Sequence, residues 1–551
     1  MKKIGFVLCV WLLYGSYCTT AKTPVVFYLK NLPCPRIGTD SDSDILRDLR
    51  KDGFLVEEVD CSRFPKESPF LEDSLTEFHI QSPKLLEKYE QKGIEIDYGT
   101  ILYVPAGYRV ACNIPVWNIV KYGPPHILDY ILEHYNTAVV KKFKVPKVKT
   151  VDEIVGLDGR PIDYNLYIDF IYPSGKPKQK VPLLLNFSSN VPRFYPFSPQ
   201  ATKEIAYRTI FPIGFLVSGY AFANLDHCYI PTSRRGVFGH TVPYSLDRYT
   251  GVAYITSAIR YIHSVADTYN LNGKIGSMGI SKASFAAVLS ARPNNASVPE
   301  ERTAYGHPIL DQPYPGYPST VDVAYAAAGD GTRKLPNLLT EGSAPMVTSM
   351  GKRDKFKEHW GLYPKVLTHL ERKQIPFVTL WMEELGHTYP GLGYDYTTGL
   401  RRYTLLKRFF DFYLKPQEHT YPELFYILPR ENSEDVRPDG TFRTLISDEL
   451  LPPDLAEVSR YSPITVRFLS SMQPESVSDY LHVIETKSGH PVPGKWTVSM
   501  HNTIFQFTPA IPLHAEEEYM IQIRQGMPGE NGRSFLKNAY RYFKCKTTKT
   551  P

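Results

Sequence analysis

Three residues far apart in the chain have the types and surroundings that catalysis by an activated hydroxyl needs: Ser281, Asp354 and His387. Ser281 stands in Gly279-Ile280-Ser281-Lys282-Ala283, with the short apolar run that opens at Ile275 before it and Phe285-Ala286-Ala287-Val288-Leu289 at helical spacing after it. That reads as a strand, a sharp turn with serine at its apex, and a helix. Gly279 and Ala283 flank the serine two residues to either side, and both are small where the strand and helix backbones would nearly touch. A serine hydroxyl attacks a carbonyl only if a base takes its proton, and the base needs an acid to orient it. His387, after Gly386 in the loop beyond Ile375-Pro376-Phe377-Val378-Thr379-Leu380-Trp381, could be that base; otherwise it is a surface histidine. Asp354, just past the run Ala344 to Gly351, could be the acid. Lys352, Arg353 and Lys355 surround it, so a surface ion pair is the plain alternative, and Asp330, Glu383 and Glu384 are rivals.

An oxyanion forming on the attacked carbonyl needs N–H donors. The first expected donor is the backbone N–H of Lys282. The second should come from the loop after Leu185, where Phe187, Ser188 and Ser189 are candidates and Ser188 is the expected one. The Lys282 side chain could meet an anionic substrate group or simply be solvated. Arg234-Arg235 could bind a carboxylate or phosphate, though paired arginines in a loop usually face water. Tyr389, Tyr394, Tyr396 and Trp381 could line a sugar-binding cleft or form a packed rim.

The elements that must position these groups alternate in kind. Asp163 to Tyr172 and Val151 to Arg160 read as hairpin strands with Asp-Gly and Ser-Gly turns. Val181 to Phe187 is a continuous apolar run, as in a strand buried on both faces, and Phe211 to Tyr220 reads as a second one. Thr250 to Tyr269 keeps Tyr254, Ile255, Ala258, Ile259, Ile262 and Ala266 on one face, a helix. Strands are expected at Val321 to Ala328, Ala344 to Gly351 and Ile375 to Trp381. Helices are expected from about Trp360 to Lys373 and from Gly399 to Leu414, where Leu406, Phe409, Phe410 and Tyr413 recur at i, i+3, i+4, i+7. The alternation implies a mostly parallel sheet. Before it, residues 22–150 open with a parallel β-α-β unit: Pro24 to Leu29, a helix Asp42 to Lys51, and Phe54-Leu55-Val56 after the Asp52-Gly53 turn. Thr100 to Val104 is another strand, and His126 to Tyr135 a helix. After Pro416 the composition turns to proline and charge, a linker to about Ser462. The last stretch holds short alternating strands at Ile464 to Phe468, Leu481 to Glu485, Trp496 to Met500, Thr503 to Phe507 and Tyr519 to Ile523, a small β-sandwich.

A chain of 551 residues exceeds one compact core, and 42% hydrophobic with 22% charged residues is the composition of a folded protein. The net charge of +6 is small for this length and no Lys/Arg block stands out, so nucleic acid is not an expected partner. Lys2-Lys3 followed by the apolar Ile4 to Tyr14 reads as a signal peptide, residues 1–21, with cleavage after Cys18 or Ala21. No second run reaches membrane-spanning length, so no integral span is expected after the signal is removed. Of 7 cysteines, five lie beyond the signal (Cys34, Cys61, Cys112, Cys228, Cys545), an odd number without a Cys-x-x-Cys pair. No disulfide framework is visible, at least one free buried thiol is expected, and neither a metal nor a cofactor is required.

Residues 151–415 resemble an α/β-hydrolase of the serine esterase/peptidase kind. The likeness rests on Gly279-Ile280-Ser281-Lys282-Ala283, Asp354 and Gly386-His387, in the Ser…Asp…His chain order of that family. Ala283 stands where the family usually has Gly, and Asn186-Phe187-Ser188-Ser189-Asn190 where lipases have His-Gly-Gly. Asp226-His227 falls where the family often has a structural Asp. The C-terminal segment, residues 463–551, resembles bacterial Ig-like modules, on Ile464-Thr465-Val466-Arg467-Phe468, Phe507-Thr508-Pro509, Pro512-Leu513 and Tyr519. Such modules occur in exported bacterial proteins. Together these imply a secreted, periplasmic or cell-surface bacterial serine hydrolase acting on an ester. The 39 tyrosines and 46 prolines suit loop-rich, aromatic-lined surfaces and lean toward an ester on a polysaccharide. An exopeptidase of the prolyl-oligopeptidase-like kind is the rival within the fold, and a catalytically inactive binding or scaffolding protein the rival outside it.

Overall fold

The computed structural model describes residues 23–63, 86–122, 128–129, 132–133, 136–137, 147–154, 165–187, 211–225, 244–280, 283–293, 313–327, 339–351, 363–382, 395, 402–428, 456–458 and 464–545. The first described elements are β1 (Thr23–Lys30), α1 (Asp42–Lys51), β2 (Leu55–Asp60) and β3 (Ile96–Pro105). These make a parallel three-stranded sheet in the order β2-β1-β3. Ser41 caps α1 by accepting the N–H of Asp44 at 3.2 Å, and Asp42 and Asp44 in the first turn with Arg50 and Lys51 in the last complement the helix dipole. Gly53, at φ +88°, turns the chain into β2. Every residue of β1 from Val25 to Leu29 is buried. Val25, Phe27 and Leu29 share a small core with Cys61, Leu86 and Tyr103, while Val26 and Tyr28 face the larger sheet.

That larger sheet takes β4 (Tyr108–Asn118), β5 (Asn165–Pro173), β6 (Val181–Phe187), β7 (Ala221–Leu225), β8 (Leu271–Ile280), β9 (Val323–Ala327), β10 (Met346–Gly351) and β11 (Phe377–Met382). Their order is β11-β10-β9-β8-β6-β7-β5-β4. Neighbours are parallel from β11 to β7, but β7/β5 and β5/β4 are antiparallel, so the sheet is mixed. The expectation of a mostly parallel sheet covers only the β11–β7 side. At the other side no crossover helix is needed, and β4 bends through two irregularities, at Ala111/Ile114 and Pro115/Trp117. β4 itself comes from the stretch read in the sequence as the N-terminal region.

Helices α3 (Tyr244–Ser264) and α4 (Ala283–Ser290) cover one face of this sheet. The other is covered by α1, α2 (Phe211–Val217) and α6 (Arg402–Leu414), and α5 (Tyr363–Arg372) connects β10 to β11. Successive strand residues serve opposite cores: Leu183, Leu185 and Phe187 lie with α3 and α4, Leu184 with α6. This is why β6 reads as unbroken apolar sequence. Phe211 to Tyr220 is corrected from strand to helix: α2 ends at Val217, Gly219 turns the chain at φ +83°, and the strand is β7, four residues on. A run apolar on every side carries no period, so burial of Ile213, Phe215, Leu216 and Tyr220 suits either element. Pro212 fits the first turn of a helix and cannot donate in a central strand.

The C-terminal strands are β12 (Leu424–Leu428), β13 (Ala456–Val458), β14 (Ile464–Phe468), β15 (Leu481–Glu485), β16 (Gly494–Ser499), β17 (Ile504–Pro509), β18 (Glu518–Ile523) and β19 (Ala539–Cys545). They form two four-stranded sheets, β12-β14-β17-β16 and β13-β19-β18-β15. Alternate residues such as Tyr519, Ile521 and Ile523 point into a separate core with Val466, Phe505 and Phe543. β12 and β13 fall in the stretch read as linker. The described cysteines Cys34, Cys61, Cys112 and Cys545 form no disulfide with one another, and Cys61 and Cys545 are fully buried.

Candidate active site

The candidate site grows from β8, which lies between β6 and β9 inside the mixed sheet. Gly276 leaves room for α6: a Cβ there would stand 2.7 Å from the Phe410 ring. On the opposite face the strand is tied to α4. Ser290 donates to the carbonyl of Ala287 at 2.7 Å, so its oxygen accepts the proton of buried Ser277, also at 2.7 Å. β8 ends at Ile280 and α4 opens at Ala283, which leaves two residues for the reversal. The tightness of that reversal is measurable at Gly279. A Cβ on residue 279 would lie 2.0 Å from the carbonyl oxygen of Ala283 and 2.5 Å from its carbon. Strand and helix backbones therefore touch, and only glycine fits. All eight residues of α4 are buried, so the helix is held against the sheet along its whole length.

The register aligns the carboxyl ends of five parallel strands. Phe187 of β6 pairs with Gly279, Ile280 with Ala327 of β9, Ala327 with Ser349 of β10, and Gly351 with Met382 of β11. Ser188 follows β6 directly; Ser281 and Lys282 fill the gap between β8 and α4; Asp354 comes three residues after β10, and His387 five after β11. These five residues lie outside the described ones, as do Ser189, Asp226, His227, Arg234, Arg235, Asp330, Glu383, Glu384, Tyr389, Tyr394 and Tyr396. Phe187, a further candidate for the second N–H, buries its side chain in the core with α3 and α4.

Polar groups that the sequence reading missed sit along this edge. Asn186 donates to Asn224 at 2.8 Å across the β6/β7 pair, one residue before each strand ends. The Tyr325 hydroxyl and Ser349 Oγ, both buried, are 3.1 Å apart. These are neutral groups, so the described floor beneath the strand ends is polar but uncharged. A lone polar residue near the end of an apolar run, as in Leu183-Leu184-Leu185-Asn186-Phe187 and Ala221-Phe222-Ala223-Asn224-Leu225, is the signal that could have found the asparagine pair. Asp395 and Arg402, both fully buried, bracket the far end of the segment that carries His387. Among the described residues no three His, Cys, Asp or Glu side chains are grouped to hold a metal.

No curated protein matches the chain in sequence. Among solved structures it is similar to an acetyl ester-xyloside bifunctional hydrolase from Caldicellulosiruptor lactoaceticus, at 14% identity over 46% of this chain and 87% of that one, TM-score 0.29. A truncated carbohydrate esterase from gut microbiota is similar at 13% identity over 43% of this chain and 87% of its own, TM-score 0.28. A lipase/esterase from Lactobacillus plantarum is similar at 11% identity over 46% and 94%, TM-score 0.30. Residues 419–547 match the family model of the bacterial Ig-like domain, the family that the C-terminal sequence resembles.

Proposed function

We propose that this protein is an exported serine hydrolase that cleaves carboxylic esters through an acyl-enzyme. The observation that carries the reading is the contact between Gly279 and Ala283, which makes the two residues between β8 and α4 the tip of a strand-to-helix reversal. A serine at such a tip is presented beyond the sheet edge, next to a helix amino end whose N–H groups have no partner within the helix. The aligned strand ends support the partners. Strand spacing of about 4.8 Å puts the end of β10 roughly 10 Å and that of β11 roughly 14 Å from β8. Three and five residues of extended chain reach about 10 Å and 16 Å, so Asp354 and His387 are within range of Ser281.

In this mechanism His387 takes the proton of Ser281 as its oxygen bonds to the ester carbonyl carbon. Asp354 holds the imidazole and its transient positive charge, and the N–H groups of Lys282 and Ser188 meet the oxyanion. Collapse breaks the bond to the alcohol oxygen, which leaves with the proton from His387. Water then repeats the sequence on the acyl-enzyme, releasing the acid and restoring the serine. The favoured substrate is an ester substituent of a polysaccharide, from the export signal, the aromatic loops and the Ig-like module. The proposed location is outside the cytoplasm; among the described residues no helix is long and apolar enough to cross a membrane.

A fluorophosphonate probe tests the reading. Labelling of the wild type that is lost in Ser281→Ala, with hydrolysis falling at least ~10⁴-fold, is the expected result. Folded protein that takes no label would make it a binding protein. Acetyl, feruloyl and methyl esters set against aminoacyl amides then separate esterase from exopeptidase.

A further inference from the structure

We infer that the Ig-like sandwich acts on catalysis through Arg467, a positioning residue that anchors β11, the strand leading to His387. The inference rests on the proposed role of His387 as the base. β11 is the edge strand of the mixed sheet, with no partner strand on its outer side among the described residues. An edge strand is held by half the usual ladder, so something else must fix its carbonyls. At the start of the strand the carbonyl of Phe377 accepts a hydrogen bond from Nη2 of Arg467, a residue of β14 in the sandwich. Just before it, the carbonyl of Gln374 accepts from Nε2 of His501 at 2.6 Å. Gln374 occupies the left-handed region at φ 52°, in the turn between α5 and β11.

Arg467 is built in rather than draped over the surface. It is only 6% exposed, and its guanidinium carbon lies 5.6 Å from the ring centroid of Phe425 and 5.8 Å from that of Tyr426. No carboxylate pairs with it among the described residues. A buried guanidinium needs its charge compensated, and here two ring faces and a strand carbonyl contribute to that. The bond cannot be lost without exposing both an orphan cation and an orphan carbonyl. Phe425 and Leu469 of the C-terminal unit also join the core that contains Val378 and Leu380 of β11, so the grip at the strand's start is continuous with packing along one face. The other end of the same six-residue strand opens into the segment with Gly386-His387. Neighbouring strand residues move together, so a shift at Phe377 reaches Met382, where the sequence continues toward His387.

The test compares full-length Arg467→Met, Arg467→Lys and His501→Ala with the wild type, at a temperature where calorimetry shows all four folded. Arg467→Met keeps the bulk of the stem and removes the donor. The expected result is kcat lowered by about 10–100-fold with KM within about twofold, as for a reacting group displaced by about an ångström. The rate of fluorophosphonate labelling should fall in parallel, and amide exchange along Phe377–Met382 should speed up. Arg467→Lys, which retains charge and a donor, should recover part of the loss, and His501→Ala should show a smaller loss of the same kind. If Arg467→Met and His501→Ala loosen β11 in exchange yet label and turn over like the wild type, the positioning role is overturned. It is overturned equally if kcat falls only in proportion to unfolded protein, seen as a lower labelling stoichiometry at an unchanged labelling rate. A wild type that takes no label, or a Ser281→Ala variant that does, overturns the underlying reading and this inference with it.

Discussion

The two units that flank the mixed sheet are attached in opposite ways. The N-terminal β2-β1-β3 unit has only a small core of its own, which Ile213 of α2 joins; Ile45, Leu46 and Leu49 of α1 and Val26 and Tyr28 of β1 bury themselves in the cluster that contains Leu184, Phe222 and Met278 of the sheet. Its seam is closed by polar contacts that leave no slack. Gly38 lies so close to Gly107 that a Cβ would stand 1.6 Å from the carbonyl oxygen. Arg109 of β4 reaches Asp40 at 2.8 Å and Asp48 at 2.7 Å. The sandwich instead has a full core between its own sheets and shares only a few residues, chiefly Phe425 and Leu469, with the neighbouring cluster. The first unit is therefore part of the same folding body as the mixed sheet, whereas the second is a module with a docking contact.

The severest challenge to this contrast is at Gly38. Gly38→Ala should cost more than about 4 kcal/mol, because the clash is backbone on backbone and nothing can rotate away. Calorimetry should show the sheet's transition collapsing while that of the sandwich stays; two transitions falling together would refute the distinction. Next in size is Arg109→Met, which should lower the sheet's Tm by roughly 2–4 °C. The same variant bears on the pH dependence. The hydrogen bond from Arg109 holds the Asp48 carboxyl below its ordinary value. That contribution is full above the ordinary aspartate pKa and is lost as pH falls through the depressed one, so a Tm-against-pH curve should be steeper at acid pH in the wild type than in the variant. The smallest effect belongs to the docking side. His419 is raised above the ordinary histidine value, first by its 2.7 Å hydrogen bond to Glu423. Its stabilisation is full below the ordinary histidine pKa and is lost as pH rises through the raised one. Glu423→Gln should flatten that decline, and a Tm profile from pH 6 upward unchanged by the substitution would remove the pair from the account.

Much of the fold was legible because its signals are local. Asp42–Lys51 is helical over the span that its charges and caps imply, and Leu481–Glu485 shows the alternation that its apolar residues imply. Where the signal failed, the physics was ambiguous. The run from Phe211 to Tyr220 is apolar throughout, so helix and strand bury it equally well. Strand β12 hides in a stretch rich in proline and charge, and only its pairing with β14 makes Leu424–Leu428 a strand. At the candidate site the small residues around Ser281 were legible, and the described backbone at Gly279 agrees with the reason given for them. The asparagine pair and the grip of Arg467 were not, since each depends on a partner 38 or 90 residues away.

The list and order of most elements, and the small residues that a sharp turn demands, were already written in the residues, because periodicity, capping and turn chemistry act between near neighbours. It took the folded chain to establish that β4 and β5 turn the sheet mixed, that five strand ends come level at one edge, and that an Ig-like module takes hold of the outermost of them. Those outcomes depend on hydrogen-bond register and packing between segments distant in the chain, and no local pattern encodes which segments will meet.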